Sequence, residues 1–186
     1  MAEIRKARSG DLERIEYICR MTAGELSRTD EKVGTTTARI YSTYYARECT
    51  DTSFVLTDDS DTAVGYILCE PSFKRFRRLY RKKDIKNIAE LSKKDAFTAW
   101  FFPTAYGVFA RKYPAHMHID LLPEYQGRGY GTKMLNTLLD TLKQKNVRGL
   151  MLMADIDNKG AIRFYERNGF TVLCKAAHGV VMAKTL

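Results

Sequence analysis

The chain has 186 residues, 45% of them apolar and 28% charged, with a formal net charge of +9. That length and balance describe one domain over 1–186 with an ordinary core, and they exclude a disordered chain and one that needs metals or disulfides to fold. No apolar run approaches the roughly 18–20 residues of a membrane span, and MAEIRKARSGD has no apolar stretch behind its basic residues, so neither a membrane partner nor a signal peptide is expected.

Residues 2–8 alternate apolar and charged side chains, which predicts a strand. Ser9, Gly10 and Asp11 turn the chain, and Asp11 is placed to cap a helix bearing Leu12, Ile15, Ile18 and Cys19 at helical spacing. A second, tyrosine-rich helix is expected over 35–48, opened by Thr35, Thr36 and Thr37. Residues 53–57 and 63–69 read as strands joined by a hairpin at 58–61.

The charge is local. Residues 74–94 hold ten basic residues (Lys74, Arg75, Arg77, Arg78, Arg81, Lys82, Lys83, Lys86, Lys93 and Lys94) against Asp84 and Glu90. The rest of the chain is nearly neutral, with 21 basic and 20 acidic residues. Phe73, Phe76, Leu79, Tyr80, Ile85, Ile88 and Leu91 keep helical spacing beneath the charges, which predicts two amphipathic helices. With the aromatic stretch 96–112, interrupted by Pro103 and Gly107, they form a basic helical insert over about 72–112.

A strong strand is expected over 116–122, stopped by Pro123. A glycine-rich turn at 126–131 leads into a helix through about Lys145, with Leu135, Leu138, Leu139 and Leu142 in one stripe. A buried strand at 149–154, a helix at 158–167 stopped by Asn168-Gly169, and paired strands at 170–175 and 180–184 complete the chain. This order gives an α/β fold: a mixed sheet with helices on both faces. Cys19, Cys49, Cys69 and Cys174 are isolated and form no C-x-x-C pair. Buried thiols in a reducing, cytoplasmic setting are expected, and no metal.

The glycine turn carries the sharpest chemistry. A buried strand ends, Gly127, Gly129 and Gly131 follow, and a helix begins. Glycines let backbone approach a ligand, and the first N–H groups of the helix sit unpaired at the positive end of its dipole. Such a turn suits phosphate or pyrophosphate, and Arg128 adds charge. It matches neither G-x-x-x-x-G-K-[ST] nor G-x-G-x-x-G, so nucleotide-hydrolysing and Rossmann sites are excluded. Taken alone, the turn also fits a merely structural strand-to-helix connection.

Gln126-Gly127-Arg128-Gly129-Tyr130-Gly131 resembles the Q/R-x-x-G-x-G/A motif of the GNAT superfamily of acetyl-CoA-dependent N-acetyltransferases. Asn158, Ala161, Phe164, Tyr165, Gly169 and Phe170 resemble that family's second signature, about 30 residues downstream. The stretch from Tyr113 to Asp120, behind a helical insert, further resembles the acetyltransferase-like domain of protein O-GlcNAcase and its bacterial relatives. The resemblance implies a GNAT-like, mostly antiparallel sheet and acetyl-CoA as co-substrate. It implies that Gln126, Gly127, Arg128, Gly129, Tyr130 and Gly131 hold the pyrophosphate. It places backbone groups at Leu121 and Leu122 on the pantetheine arm, Asn158 beside that arm and Tyr165 near the thioester sulfur.

Acyl transfer to an amine needs a polarised carbonyl, a proton for the leaving thiolate and a base for the amine. Tyr165 is the candidate acid; without the motif it reads as a core aromatic. Strand alternation puts His116, His118 and Asp120 on one face and Met117, Ile119 and Leu121 on the other. Three titratable groups on one face suggest a solvent-accessible cleft. His118, oriented by Asp120, is the candidate base, with a pKa near 6–8; the alternative is structural histidines.

Three functions stay open on these residues: transfer of acetyl from acetyl-CoA to a primary amine on a small molecule or peptide, a non-catalytic acetyl-CoA-binding module, and nucleic-acid binding through 74–94. The third carries no recognised nucleic-acid motif. The basic segment itself reads as a solvated helix face, a surface for an acidic partner, or a nucleic-acid contact, and it disfavours polycationic acceptors.

Overall fold

The computed structural model describes residues 2–176 and 179–186. Its strands are β1 (Glu3–Lys6), β2 (Phe54–Thr57), β3 (Ala63–Glu70), β4 (Ala115–Leu121), β5 (Gly149–Asp155), β6 (Thr171–Ala176) and β7 (Gly179–Thr185). Among the described residues they form one sheet in the order β1-β2-β3-β4-β5-β7-β6. Every neighbouring pair is antiparallel except β4–β5. The helices are α1 (Leu12–Ala23), α2 (Glu25–Thr29), α3 (Glu31–Tyr41), α4 (Thr43–Glu48), α5 (Phe73–Leu91), α6 (Lys93–Ala105), α7 (Tyr130–Gln144) and α8 (Lys159–Arg167).

Local chemistry moved several boundaries. Asp11 does not cap α1: its carboxylate accepts from the Arg8 backbone N–H at 2.7 Å and from the Arg5 guanidinium at 2.8 and 2.9 Å. The helix expected over 35–48 is two helices. The first starts four residues earlier, where the Asp30 side chain accepts from Val33 N–H and satisfies an orphan donor of the first turn. Thr36 and Thr37 therefore lie inside α3, their hydroxyls donating to the carbonyls of Lys32 and Val33. Ser42, with φ −130°, breaks the path before α4. In the insert, α6 runs two residues beyond Pro103, and a 3-10 turn at Tyr106–Phe109 ends it.

The sheet separates two apolar layers. Under one face the α7 stripe of Met134, Leu135, Leu138, Leu139 and Leu142 packs with Met117, Leu152 and Met182. Under the other, α1, α4 and α5 bring Ile15, Ile18, Tyr44, Tyr45, Phe76 and Tyr80 against Tyr66 and Leu68. The helix α5 is tied down at its start. Ser72 caps it, Phe73 N–H donates to Pro114 O, and Arg75 reaches the fully buried Glu70 at 2.5 Å. Tyr44 and the Ser72 N–H also donate to Glu70, so this buried carboxylate is fully supplied with donors.

Candidate active site

The site begins where the sheet opens. The strand β4 meets β5 only at Ala115↔Leu150 and His116↔Met151, whereas β3–β4 pairing continues to Gly65↔Leu121. Beyond His116 the two strands part. Antiparallel ladders alternate their donors between sides. Leu122 N–H donates to Val64 O at 2.9 Å. Hence the N–H groups of Asp120 and Leu122 point to β3, the Leu122 carbonyl accepting from Tyr125 N–H at 2.9 Å, and Ile119 and Leu121 turn their backbone groups toward the gap. That corrects one expectation: the Leu122 N–H belongs to the β3 ladder, and Ile119 takes its place beside Leu121. The parity could have been found only with the β3 register in hand. The Leu121 carbonyl accepts from the Gln126 side-chain amide at 2.8 Å, which leaves its N–H facing the gap.

The chain leaves this gap through a 3-10 turn, Pro123–Tyr125, and enters the glycine segment. Gly127 and Gly129 have φ +70° and +80°, the left-handed region that glycine takes without strain. A Cβ at either would meet nothing within 4 Å, so the turn opens into free space on its ligand side. Gly129 is the N-cap of α7 and supplies no side chain to it, and the first turn of α7 holds no acidic residue. Its leading N–H groups therefore lack the usual internal partner beside the exposed Arg128. This is a place where a bound pyrophosphate fits. Gly131, by contrast, packs against Phe164, where an added Cβ would come to 3.4 Å.

Across the gap, Asn158 caps α8, its Oδ1 accepting from Ala161 N–H at 2.9 Å. This role accounts for its oxygen, and the residue is otherwise exposed. Tyr165 lies about two turns further on, 8% exposed, with its ring packed against Phe164 and Phe170. Burial raises its pKa, and the charge of Asp120 pushes it further the same way. Tyr165 thus stays protonated and feels the strand face opposite.

That face differs from the expected cleft. His116, His118 and Asp120 do share it, each half-buried. Yet His116 sits among the rings of Tyr45, Phe73 and Phe76, and neither of its ring nitrogens has a hydrogen-bond partner. Burial drives its pKa down to about 3. His118 lies edge-on to Tyr41 and Tyr45, and burial lowers it to about 4. Asp120 does not orient His118. Its carboxylate accepts from the Tyr66 hydroxyl at 2.5 Å, and burial raises its pKa to about 6 despite that bond. The aromatic shell comes from α3, α4 and α5, and no sequence pattern announced that it would close over this strand. Among the described residues no group of His, Cys, Asp or Glu could hold a metal ion. None of their helices is long and apolar enough to cross a membrane.

Comparison with known proteins agrees with this geometry. The model of the acetyltransferase (GNAT) family matches residues 16–170. N-alpha-acetyltransferase 30 of Schizosaccharomyces pombe is 26% identical over 156 residues, covering 84% of this chain and 77% of that protein. The crystal structure of SsHAT superposes over 99% of this chain and 98% of its own, with TM-score 0.89 and 29% identity. The PaiA N-acetyltransferase of Thermoplasma acidophilum, solved in complex with coenzyme A, covers 100% and 99%, with TM-score 0.66. At 17% identity it speaks for the fold alone.

Proposed function

The chain belongs to the GNAT acetyltransferase family, and from that premise we propose that it transfers acetyl from acetyl-CoA to a primary amine by direct attack, all 186 residues forming one acetyl-CoA-binding unit in the cytoplasm. The observation that carries this reading is the parting of β4 from β5 directly before a turn with two left-handed glycines. Gln126, Gly127, Arg128, Gly129, Tyr130 and Gly131 hold the pyrophosphate, and Asn158 and the outward N–H groups of Ile119 and Leu121 line the arm. Acetyl-CoA supplies the activated acyl group and a thiolate leaving group.

The protein's own groups then divide the work. A backbone N–H fixed at the gap stabilises charge that gathers there, an effect worth about 3 kcal/mol. Tyr165, protonated across the working range, donates a proton to the departing sulfur. The proton of the incoming amine goes to Asp120, whose pKa of about 6 lies nearer the operating range than the value of about 4 at His118. His118 remains a neutral imidazole lining the acceptor side.

Titration of free thiol released from acetyl-CoA across a panel of primary amines tests the reading. Tyr165→Phe should leave acetyl-CoA affinity within a few fold and lower turnover by about 10²–10⁴. Gly129→Val, strained at φ +80°, should abolish the rise in Tm that acetyl-CoA gives the wild type. A wild type that binds acetyl-CoA but turns over no amine would make it a non-catalytic acetyl-CoA module, the reading that the likeness of 113–120 to the O-GlcNAcase acetyltransferase-like domain favours.

A further inference from the structure

The ten cations of residues 74–94 do not share one fate. Arg75 is spent on Glu70 and Glu48, and Lys83 on Glu48. Lys74, Arg77 and Arg78 have no acidic partner among the described residues; they line one recess of about 410 Å³ together with Arg81, Phe73 and Gly107. Residues 74, 77, 78 and 81 fall on one stripe of α5, so the convergence is built into the helix. The recess has a fixed frame. Phe73 is buried and bonded through its N–H to Pro114 O, and the Arg81 guanidinium lies 4.8 Å over the Trp100 ring. Gly107 closes the other wall, where an added Cβ would stand 3.2 Å from the Phe73 ring.

We propose that this recess is a binding site for a small ligand carrying clustered phosphates, separate from the acetyl-CoA site. Lys74, Arg77 and Arg78, with no carboxylate in the lining beside them, leave a charge that a single carboxylate would only partly neutralise. A phosphoryl group brings about two charges and three acceptor oxygens, which arginine forks match. The volume suits a small molecule. The convergence into a recess, and not along an extended track, favours that over nucleic acid. The separation from the glycine turn follows from topology. The recess adjoins the start of β4 at Pro114, the turn follows its end at Leu121, and seven residues of strand place roughly 20 Å between them.

Isothermal titration with pyrophosphate and tripolyphosphate in 0.15 M NaCl tests the site in the intact protein. The wild type should bind tripolyphosphate more tightly than pyrophosphate. Lys74→Gln/Arg78→Gln, two exposed positions that leave the core untouched, should weaken binding at least tenfold. Lys86→Gln/Lys93→Gln removes the same charge elsewhere on the insert and should stay within twofold. Gly129→Val should bind tripolyphosphate like the wild type. The proposal falls if the wild type shows no heat of binding at millimolar anion, or if both double variants lose affinity equally. It falls as well if Gly129→Val loses the response, since the anion would then occupy the acetyl-CoA turn. Displacement of tripolyphosphate by a single-stranded oligonucleotide at tenfold lower concentration would replace it with a nucleic-acid surface.

Discussion

The two faces of β4 are made from alternate residues of the same seven and have opposite characters. Met117, Ile119 and Leu121 rest on the leucine stripe of α7, in a layer made mainly of aliphatic side chains with Tyr165 at its edge of the gap. His116, His118 and Asp120 face aromatic rings that deny two of them their charge and hold the third partly uncharged. The apolar face supplies stability. The other face is tolerated at a cost in stability, and a strand that spends stability on one side needs a well-packed other side.

The sharpest way to break this comparison is Asp120→Asn. If Asp120 takes the proton of the amine, kcat/KM should fall by about 10²–10⁴, and the rate should lose its rise centred near pH 6. His118→Ala should keep that rise. Stability should move the other way. Because the folded pKa of Asp120 lies above its unfolded value of 3.8, the native state binds the proton more tightly, and stability is lost as pH rises from 3.8 through 6. Asp120→Asn should therefore be more stable than the wild type at pH 7, by up to about 3 kcal/mol, and no more stable at pH 3.5; urea unfolding at both pH values reads this. A variant that is both less active and less stable at pH 7 would mean that Asp120 is a structural acceptor for Tyr66.

Next in size is the opposite face. Leu138→Ala, fully buried in the α7 stripe, should cost about 2–5 kcal/mol in urea unfolding while kcat changes less than twofold. A large kcat effect would show that the two faces are not separable.

The smallest effect concerns His116. Its folded pKa is lowered from 6.5 to about 3, so the unfolded chain binds protons more readily, and its contribution to stability is lost as pH falls from 6.5 toward 3. His116→Leu should remove up to about 1.4 kcal/mol per pH unit of that acid sensitivity, seen as a shallower fall in Tm between pH 6.5 and 4.5. An unchanged slope would place the sensitivity at His118.

Much of the local structure of the candidate site was legible in the chain itself. The glycine turn, its helix and the Asn158–Tyr165 segment were readable because each is local: left-handed glycines, a cap three residues before its partner N–H, and an apolar stripe at helical spacing act within one or two turns. The alternation that separates His116, His118 and Asp120 from Met117, Ile119 and Leu121 was likewise fixed by strand geometry.

Electrostatic roles were not legible, because they depend on who covers whom. His118 titrates near neutrality in water, and its weakness as a base comes from Tyr41 and Tyr45, residues more than seventy positions earlier in the chain. The Leu122 N–H is spent because Val64 lies opposite it, and the ten basic residues of 74–94 divide because Glu48 and Glu70 reach only some of them. Periodicity, caps and turn chemistry are properties of neighbours in sequence, so the sequence by itself determined the elements, their faces and the glycine turn. Burial, ladder parity and charge pairing are properties of neighbours in space, and only the tertiary structure decided which backbone groups face the gap, which carboxylate has its pKa raised by burial and which cations the acidic residues reach.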